Sequence, residues 1–248
     1  MNIKNDRLNR TVAVIRSYNN SSILSQLVKL LEFLPYVIVV VDSSKDNDVT
    51  KNALSLYDGD LTKITVLYME TGYSWSRGLN HALQYIDLWN ADSENYHFDF
   101  MLNVSVEAGF ERSYIERILS AFDNTVAVVG TTFEGYQDGK IVSLGSSYNS
   151  PRNTGMVVNL SCFSEEDSWV RRFDTFCDLN GGMEDYDFCE RVWIFKGLKT
   201  KILDLKVPLT VGVHHNQAEK EKGEQQALNI IIDRYSEWNI KISRLVGM

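Results

Sequence analysis

The chain has 248 residues, of which 44% are hydrophobic and 23% charged, and its formal net charge is -8. That length fits one α/β domain, or one domain with a small appendage, and allows a sizeable core. The acidic balance argues against a broad nucleic-acid surface, which needs clustered Lys and Arg, and disfavours adhesion to an anionic bilayer. The three cysteines, Cys162, Cys177 and Cys189, contain no Cys-x-x-Cys pair, which points away from a zinc ribbon and toward free thiols in a reducing compartment.

The first ten residues are polar and lack the apolar run of a signal peptide. The longest apolar stretch, Val37 to Val41, is far too short to span a bilayer. These features predict a cytoplasmic protein without a transmembrane segment, at most held peripherally at the inner face of a membrane.

Thr11 to Ile15 is a β-branched run ending in Ser17-Tyr18-Asn19-Asn20, which breaks a strand and can cap a helix. Ile23, Leu24, Leu27, Leu30, Leu31 and Leu34 then recur at helical spacing up to Pro35. Tyr36 to Val41 is fully apolar, the pattern of a strand buried on both faces of a parallel sheet. A second helix is predicted to about Tyr57, a strand over Ile64 to Met69, a helix over Trp75 to Trp89, and a strand over Phe98 to Asn103. This alternation predicts a Rossmann-like half with a parallel sheet, in which ligands sit at the carboxyl ends of the strands.

The second half is less regular. Glu111 to Phe122 reads as a helix, Val126 to Thr132 as a strand, Gln137-Asp138-Gly139-Lys140 as a hairpin turn, and Thr154 to Leu160 as a strand. Glu184 to Lys196 is a helix stopped by Gly197, with Phe188, Val192 and Phe195 as its buried stripe. Lys199 to Leu203 and Val207 to Val213 read as two strands, and Gln217 to Trp238 as a long charged helix.

Glu184 and Asp185 fall in the first helical turn, directly after Gly181 and Gly182. The helix dipole favours ionised carboxylates there, by ~0.3–1 kcal/mol at an exposed site. An ionised carboxylate can take a proton from a hydroxyl as that hydroxyl attacks carbon. Glycines permit close approach of a ligand to the backbone.

The string Gly-Gly-Met-Glu-Asp-Tyr-Asp-Phe-Cys-Glu-Arg-Val-Trp, preceded by Phe173-Asp174, closely resembles the late acidic motif of family-two glycosyltransferases, inverting enzymes with the A-type glycosyltransferase fold. Three further segments carry the resemblance: Val14 to Asn19, Val41 to Asp46, and Gly72 to Ala82. It covers about residues 10 to 215 and implies an α/β, Rossmann-like A-type fold whose central, mostly parallel mixed sheet is flanked by helices. One domain over 1–248 is expected, with a nucleotide-sugar-binding half (10–107), an acceptor and catalytic half (108–215) and a C-terminal helix (216–248).

The resemblance implies a hexosyltransferase-type enzyme that moves a sugar from a nucleotide-diphosphate sugar to an acceptor hydroxyl. A UDP-sugar is the leading expectation for the donor and a saccharide or lipid-linked molecule for the acceptor, in polysaccharide or glycoconjugate synthesis. Asp185 would be the base and Glu184 would orient the acceptor. Tyr18, Asp42, Arg77, Asn80, Asn103 and Ser105 would line the donor site.

One departure concerns the metal. Where the family carries Asp-x-Asp for Mn²⁺ or Mg²⁺, this chain has Asn103-Val104-Ser105, and hard divalent cations want carboxylate oxygens. Glu107 and His214 are the candidate ligands in their place. The alternative is a metal-independent enzyme that neutralises diphosphate with Arg77 and Arg152. Two other functions stay open: a catalytically weakened nucleotide-sugar-binding protein of the same fold, and, ranked last, a nucleotidyltransferase.

Overall fold

The computed structural model describes residues 3–42, 48–69, 75–93, 96–137, 140–144, 150–151, 154–175, 183–209 and 217–237. The elements run α1 (Ile3–Asn9), β1 (Thr11–Ser17), α2 (Ile23–Leu31), β2 (Tyr36–Asp42), α3 (Asp48–Ser55), β3 (Ile64–Met69), α4 (Trp75–Asp92), β4 (Phe100–Ser105), α5 (Arg112–Ser120), β5 (Val126–Gln137), β6 (Lys140–Leu144), β7 (Val157–Asn159), α6 (Glu184–Lys196), β8 (Lys199–Leu209) and α7 (Gln217–Glu237).

Among the described residues the strands form one eight-stranded sheet in the order β3-β2-β1-β4-β7-β5-β6, with β8 paired to β5. The β1–β2, β2–β3, β1–β4 and β5–β8 pairs are parallel, and β7 runs antiparallel between β4 and β5. The apolar runs of β1 and β2 are buried on both faces, as parallel strands between helices must be. Ala13, Ile15, Val37, Val39, Leu102 and Val104 pack on one side, with Ile23, Leu27 and Leu30 of α2 and Ile115 and Ile118 of α5. Val12, Val14, Ile38, Val40 and Met101 pack on the other, with Leu79, Ala82 and Leu83 of α4 and Phe188 and Val192 of α6.

The chain thus winds outward from β1 to β3 with α2 on one face, then crosses on the opposite face through α4 to β4. The strand order reverses between β1 and β4. In open α/β sheets the crevice outside the carboxyl ends of the strands at such a switch point is where ligands bind.

Several sequence expectations shift. The N-terminal decapeptide contains α1, which buries Leu8 and carries Arg7, whose Nη1 donates to the Leu119 carbonyl at 2.6 Å. Within the described residues, the two strands expected over 199–213 are one strand, β8, as far as Leu209, and 210–213 lie outside the described residues. The strand continues through a bulge at Lys206 (φ 53°), whose N–H donates to Thr132 Oγ1 at 3.1 Å. The expected apolar stripe on α6 is only partly buried, because Phe195 is 38% exposed and lies against Trp169. Instead α6 is covered on a second side: Met183 and Tyr186 pack with Ala227, Leu228, Ile231 and Tyr235 of α7. Antiparallel pairing of Gln137 with Lys140 meets the hairpin expectation.

Candidate active site at the carboxyl ends of the strands

Register fixes the floor of the site. On β1, Val14 pairs with Asn103 and Arg16 with Ser105 of β4, while Arg16 also pairs with Val40 of β2. Side chains alternate along a strand, so Arg16, Asn103 and Ser105 share the face that α4 covers. Asp42 closes β2 opposite Met69.

The turn after β1 is anchored from α3. Thr50, fully buried, receives the Asn20 N–H on its Oγ1 at 2.9 Å and exchanges a hydroxyl bond with Ser17 at 3.1 Å. Asn19 adopts a left-handed conformation (φ 46°), a geometry that Asn tolerates better than most residues. Asn20 Oδ1 accepts the Ser22 N–H at 2.8 Å, and Asn20 Nδ2 donates to Glu107 Oε1 at 3.2 Å, so the loops after β1 and β4 touch. Tyr18 rides on this anchored turn and is 44% exposed.

On α4, Arg77 is exposed and Asn80 half-buried. Both ends of the Asn80 amide are engaged by one residue: Nδ2 donates to the Phe173 carbonyl at 2.8 Å and Oδ1 accepts the Phe173 N–H at 2.8 Å. Ser76 Oγ donates to the Asp174 carbonyl at 3.0 Å. The Phe173 ring stacks on Phe188 at 4.7 Å between centroids. These contacts lay the segment before α6 across the first turns of α4.

The start of α6 is pinned by a buried charge cluster. Asp187 is 0% exposed; its Oδ2 accepts Arg191 Nε–H at 2.8 Å and its Oδ1 accepts the Tyr235 hydroxyl at 3.0 Å. Arg191 also donates to the carbonyls of Trp169 (2.8 Å), Val170 (2.7 Å) and Arg172 (2.5 Å). Arg234 pairs with Asp174 and lies 3.8 Å from Asp187. Burial, then the Asp187 charge, pushes the Tyr235 phenol far above its ordinary pKa, so it remains a donor. Met183, just before the helix, is held in a left-handed conformation (φ 72°). For a residue with a side chain this costs ~1–2 kcal/mol and persists where the surroundings over-determine it.

On that pinned turn Glu184 is buried and Asp185 half-buried, and Asp185 Oδ1 accepts the Tyr186 N–H at 2.8 Å. The dipole of the 13-residue α6 is directed at both carboxylates.

The metal expectation can be tested on the donor set. Asn103 and Ser105 are neutral, and Glu107 is exposed and hydrogen-bonded to Asn20. Among the described residues no cluster of three or more His, Cys, Asp or Glu is placed to hold an ion. His214 lies outside the described residues, as do Arg152, Gly181, Gly182 and the side chain of Asp42.

Sequence reasoning passed over Arg16 and Thr50. Arg16 carried a visible signal, a lone charge inside a β-branched run. Thr50 carried none, because its role depends on α3 docking beside β1.

No protein-family model matches the sequence, and no curated protein matches it. Solved structures do match. A mannosyltransferase from Pyrobaculum calidifontis, in complex with GDP-Man and Mn²⁺, superposes with a TM-score of 0.64 at 12% identity, over 92% of this chain and 64% of its own. GalNAc-T7, with UDP, GalNAc and Mn²⁺, superposes with a TM-score of 0.59 at 10% identity, over 90% of this chain and 48% of its own. The 4-diphosphocytidyl-2C-methyl-D-erythritol synthase from Anaerococcus prevotii gives 0.50 at 12% identity, over 92% of this chain and 100% of its own. This chain thus spans less than two thirds of the mannosyltransferase and about half of GalNAc-T7. No helix of the described residues is long and apolar enough to cross a membrane. With its switch point between β1 and β4 and helices on both faces of a mostly parallel mixed sheet, the chain has the Rossmann-like A-type glycosyltransferase fold.

Proposed function

We propose that this protein is an inverting glycosyltransferase that moves a sugar from a nucleotide-diphosphate sugar to an acceptor hydroxyl. The observation that carries the reading is the first turn of α6, where Asp185 sits on a helix start pinned by Asp187, Arg191 and Tyr235 and laid across α4 through Phe173. In this reading Asp185 takes the acceptor proton and Glu184 orients the acceptor. Tyr18, Asp42, Arg77, Asn103 and Ser105 face the donor. Asn80 acts one step removed, by holding Phe173.

Two fold neighbours were solved with GDP-Man or with UDP and GalNAc, which supports a nucleotide-sugar donor. A UDP-sugar is the first to test, with a saccharide or lipid-linked acceptor in polysaccharide or glycoconjugate synthesis at the cytoplasmic side. The donor half corresponds to 10–107 and the acceptor half to 108–215, and within the C-terminal segment 216–248 the α7 residues Ala227, Leu228, Ile231 and Tyr235 brace α6. Those two neighbours also carry Mn²⁺, while among the described residues here no group of three or more His, Cys, Asp or Glu is placed to hold an ion.

The test is incubation with UDP-, GDP- and dTDP-sugars, with and without Mn²⁺, following donor hydrolysis, transfer and thermal shift. Asp185→Asn should lower transfer ~10²–10⁴-fold while leaving nucleotide stabilisation in place. Undiminished transfer by that variant removes Asp185 from the mechanism. Stabilisation by nucleotide with no turnover on any acceptor identifies a binding protein of the same fold, a reading favoured by the neutral Asn103 and Ser105.

A further inference from the structure

Arg16 is 4% exposed, one residue from the carboxyl end of β1, and lies at the switch point opposite Ser105. Its guanidinium carbon is 4.6 Å from the centroid of the Trp75 ring. Trp75 is the first residue of the 18-residue α4, so the guanidinium lies at the positive end of a long helix dipole. Gly78 makes this approach possible, since a Cβ there would come within 3.2 Å of Arg16 Cδ and 3.3 Å of both Met69 Sδ and Val40 Cγ1.

Beside it on the same sheet face is Asn103, 1% exposed, whose Oδ1 and Nδ2 both lack a hydrogen-bond partner among the described residues. Its backbone is fully engaged, with N–H donating to the Met156 carbonyl at 2.9 Å and the carbonyl accepting the Gly155 N–H at 2.8 Å. The strand is therefore fixed and the amide is held ready. A buried amide in that state has both a donor and an acceptor available to a water or a ligand atom.

The charge pattern is reciprocal. Two carboxylates across the register from Arg16 would pair with it, and a divalent cation beside it would be repelled. Neutral Asn103 and Ser105 do neither. What the site favours is an anion with several acceptor oxygens, which a guanidinium fork and a helix N-terminus both prefer.

We propose that Arg16 is a donor-binding cation of this protein, gripping the diphosphate of the nucleotide sugar with Asn103 Nδ2 and the Ser105 hydroxyl as neutral donors to the same phosphates. The assignment rests on the glycosyltransferase reading and names the group that meets the leaving charge. As the acceptor oxygen bonds the anomeric carbon, the bond from that carbon to the β-phosphate oxygen breaks and its electron pair stays on the diphosphate. The acceptor proton passes to Asp185, and the added negative charge falls where the Arg16 N–H groups are.

The experiment measures binding of UDP, GDP, inorganic pyrophosphate and uridine by calorimetry, in EDTA and in Mn²⁺, to the wild type, Arg16→Met and Arg16→Lys. Wild type should bind a nucleoside diphosphate equally in EDTA and in Mn²⁺. Arg16→Met should weaken that binding about 30-fold or more while leaving uridine binding and the far-UV circular dichroism unchanged. Arg16→Lys, which keeps the charge and loses the fork, guards against a folding defect and should fall between the two. Ser105→Asp, which places a carboxylate opposite Arg16, should also weaken diphosphate binding. Nucleoside diphosphate binding that needs Mn²⁺ and is indifferent to Arg16→Met overturns this assignment and leaves the transferase reading standing. A wild type that binds no nucleotide under either condition overturns both.

Discussion

Asp187→Asn is the most informative single change, because it alters charge and almost no shape in the cluster that fixes α6. The Asp187 carboxylate is fully buried between Arg191 Nε at 2.8 Å and the Tyr235 hydroxyl at 3.0 Å. An amide has one acceptor oxygen, so one of these donors must face an NH₂ group. The Arg191 guanidinium, whose side chain is 6% exposed, would keep only neutral oxygens as partners among the described residues. Removing one member of a buried ion pair costs ~3–5 kcal/mol. Arg234, at 3.8 Å and 27% exposed, adds little. At ~2–4 °C per kcal/mol for a chain of this size, Tm should fall by ~6–20 °C. Tyr235→Phe removes the hydrogen bond to the charged group and should cost ~1.5–3 kcal/mol. Urea unfolding at constant m-value gives both numbers, and differential scanning calorimetry checks them. If Asp187→Asn costs less than Tyr235→Phe, the carboxylate is not a desolvated partner of Arg191, and the account of how α6 is pinned is wrong.

Gly155→Ala should also destabilise strongly. Gly155 has φ +76°, and an added Cβ would lie 2.6 Å from Phe133 Cζ and 2.7 Å from Phe110 Cζ. Left-handed strain and overpacking together predict ~2–5 kcal/mol, readable as a lower urea midpoint. Asp167 gives a pH signature of definite sign. Its hydrogen bond from Lys196 Nζ, then those from Ser164, hold its carboxyl at about 2, below the ordinary ~3.9 of an unfolded chain. Its contribution is therefore complete above about 4 and lost as pH falls toward about 2. The midpoint difference between wild type and Asp167→Asn should shrink across that window, and a difference independent of pH contradicts the assignment.

The parallel half of the fold was legible because β2 and β1 are continuous apolar runs and α2 repeats at helical spacing. Those patterns reflect burial on two faces or one, a property of local sequence. The same holds for the acidic start of α6, since Glu184 and Asp185 follow directly from where the helix begins. What could not be read was anything set by a partner distant in sequence. Phe195 fits the apolar stripe of α6 yet is exposed, because α7 supplies the second covered side at Tyr186. The bulge at Lys206 depends on register with β5.

For the site, the sequence by itself determined which carboxylates stand at the head of α6 and that β4 ends in the neutral Asn103 and Ser105. Tertiary structure alone decided what those residues face. It turned Asn80 inward onto Phe173, made Asp187 the buried partner of Arg191 and Tyr235, and set Arg16 beside Asn103 and Ser105. The physical reason is that residue type and spacing determine which face of an element is apolar, while the crossover through α4 determines which strand ends meet.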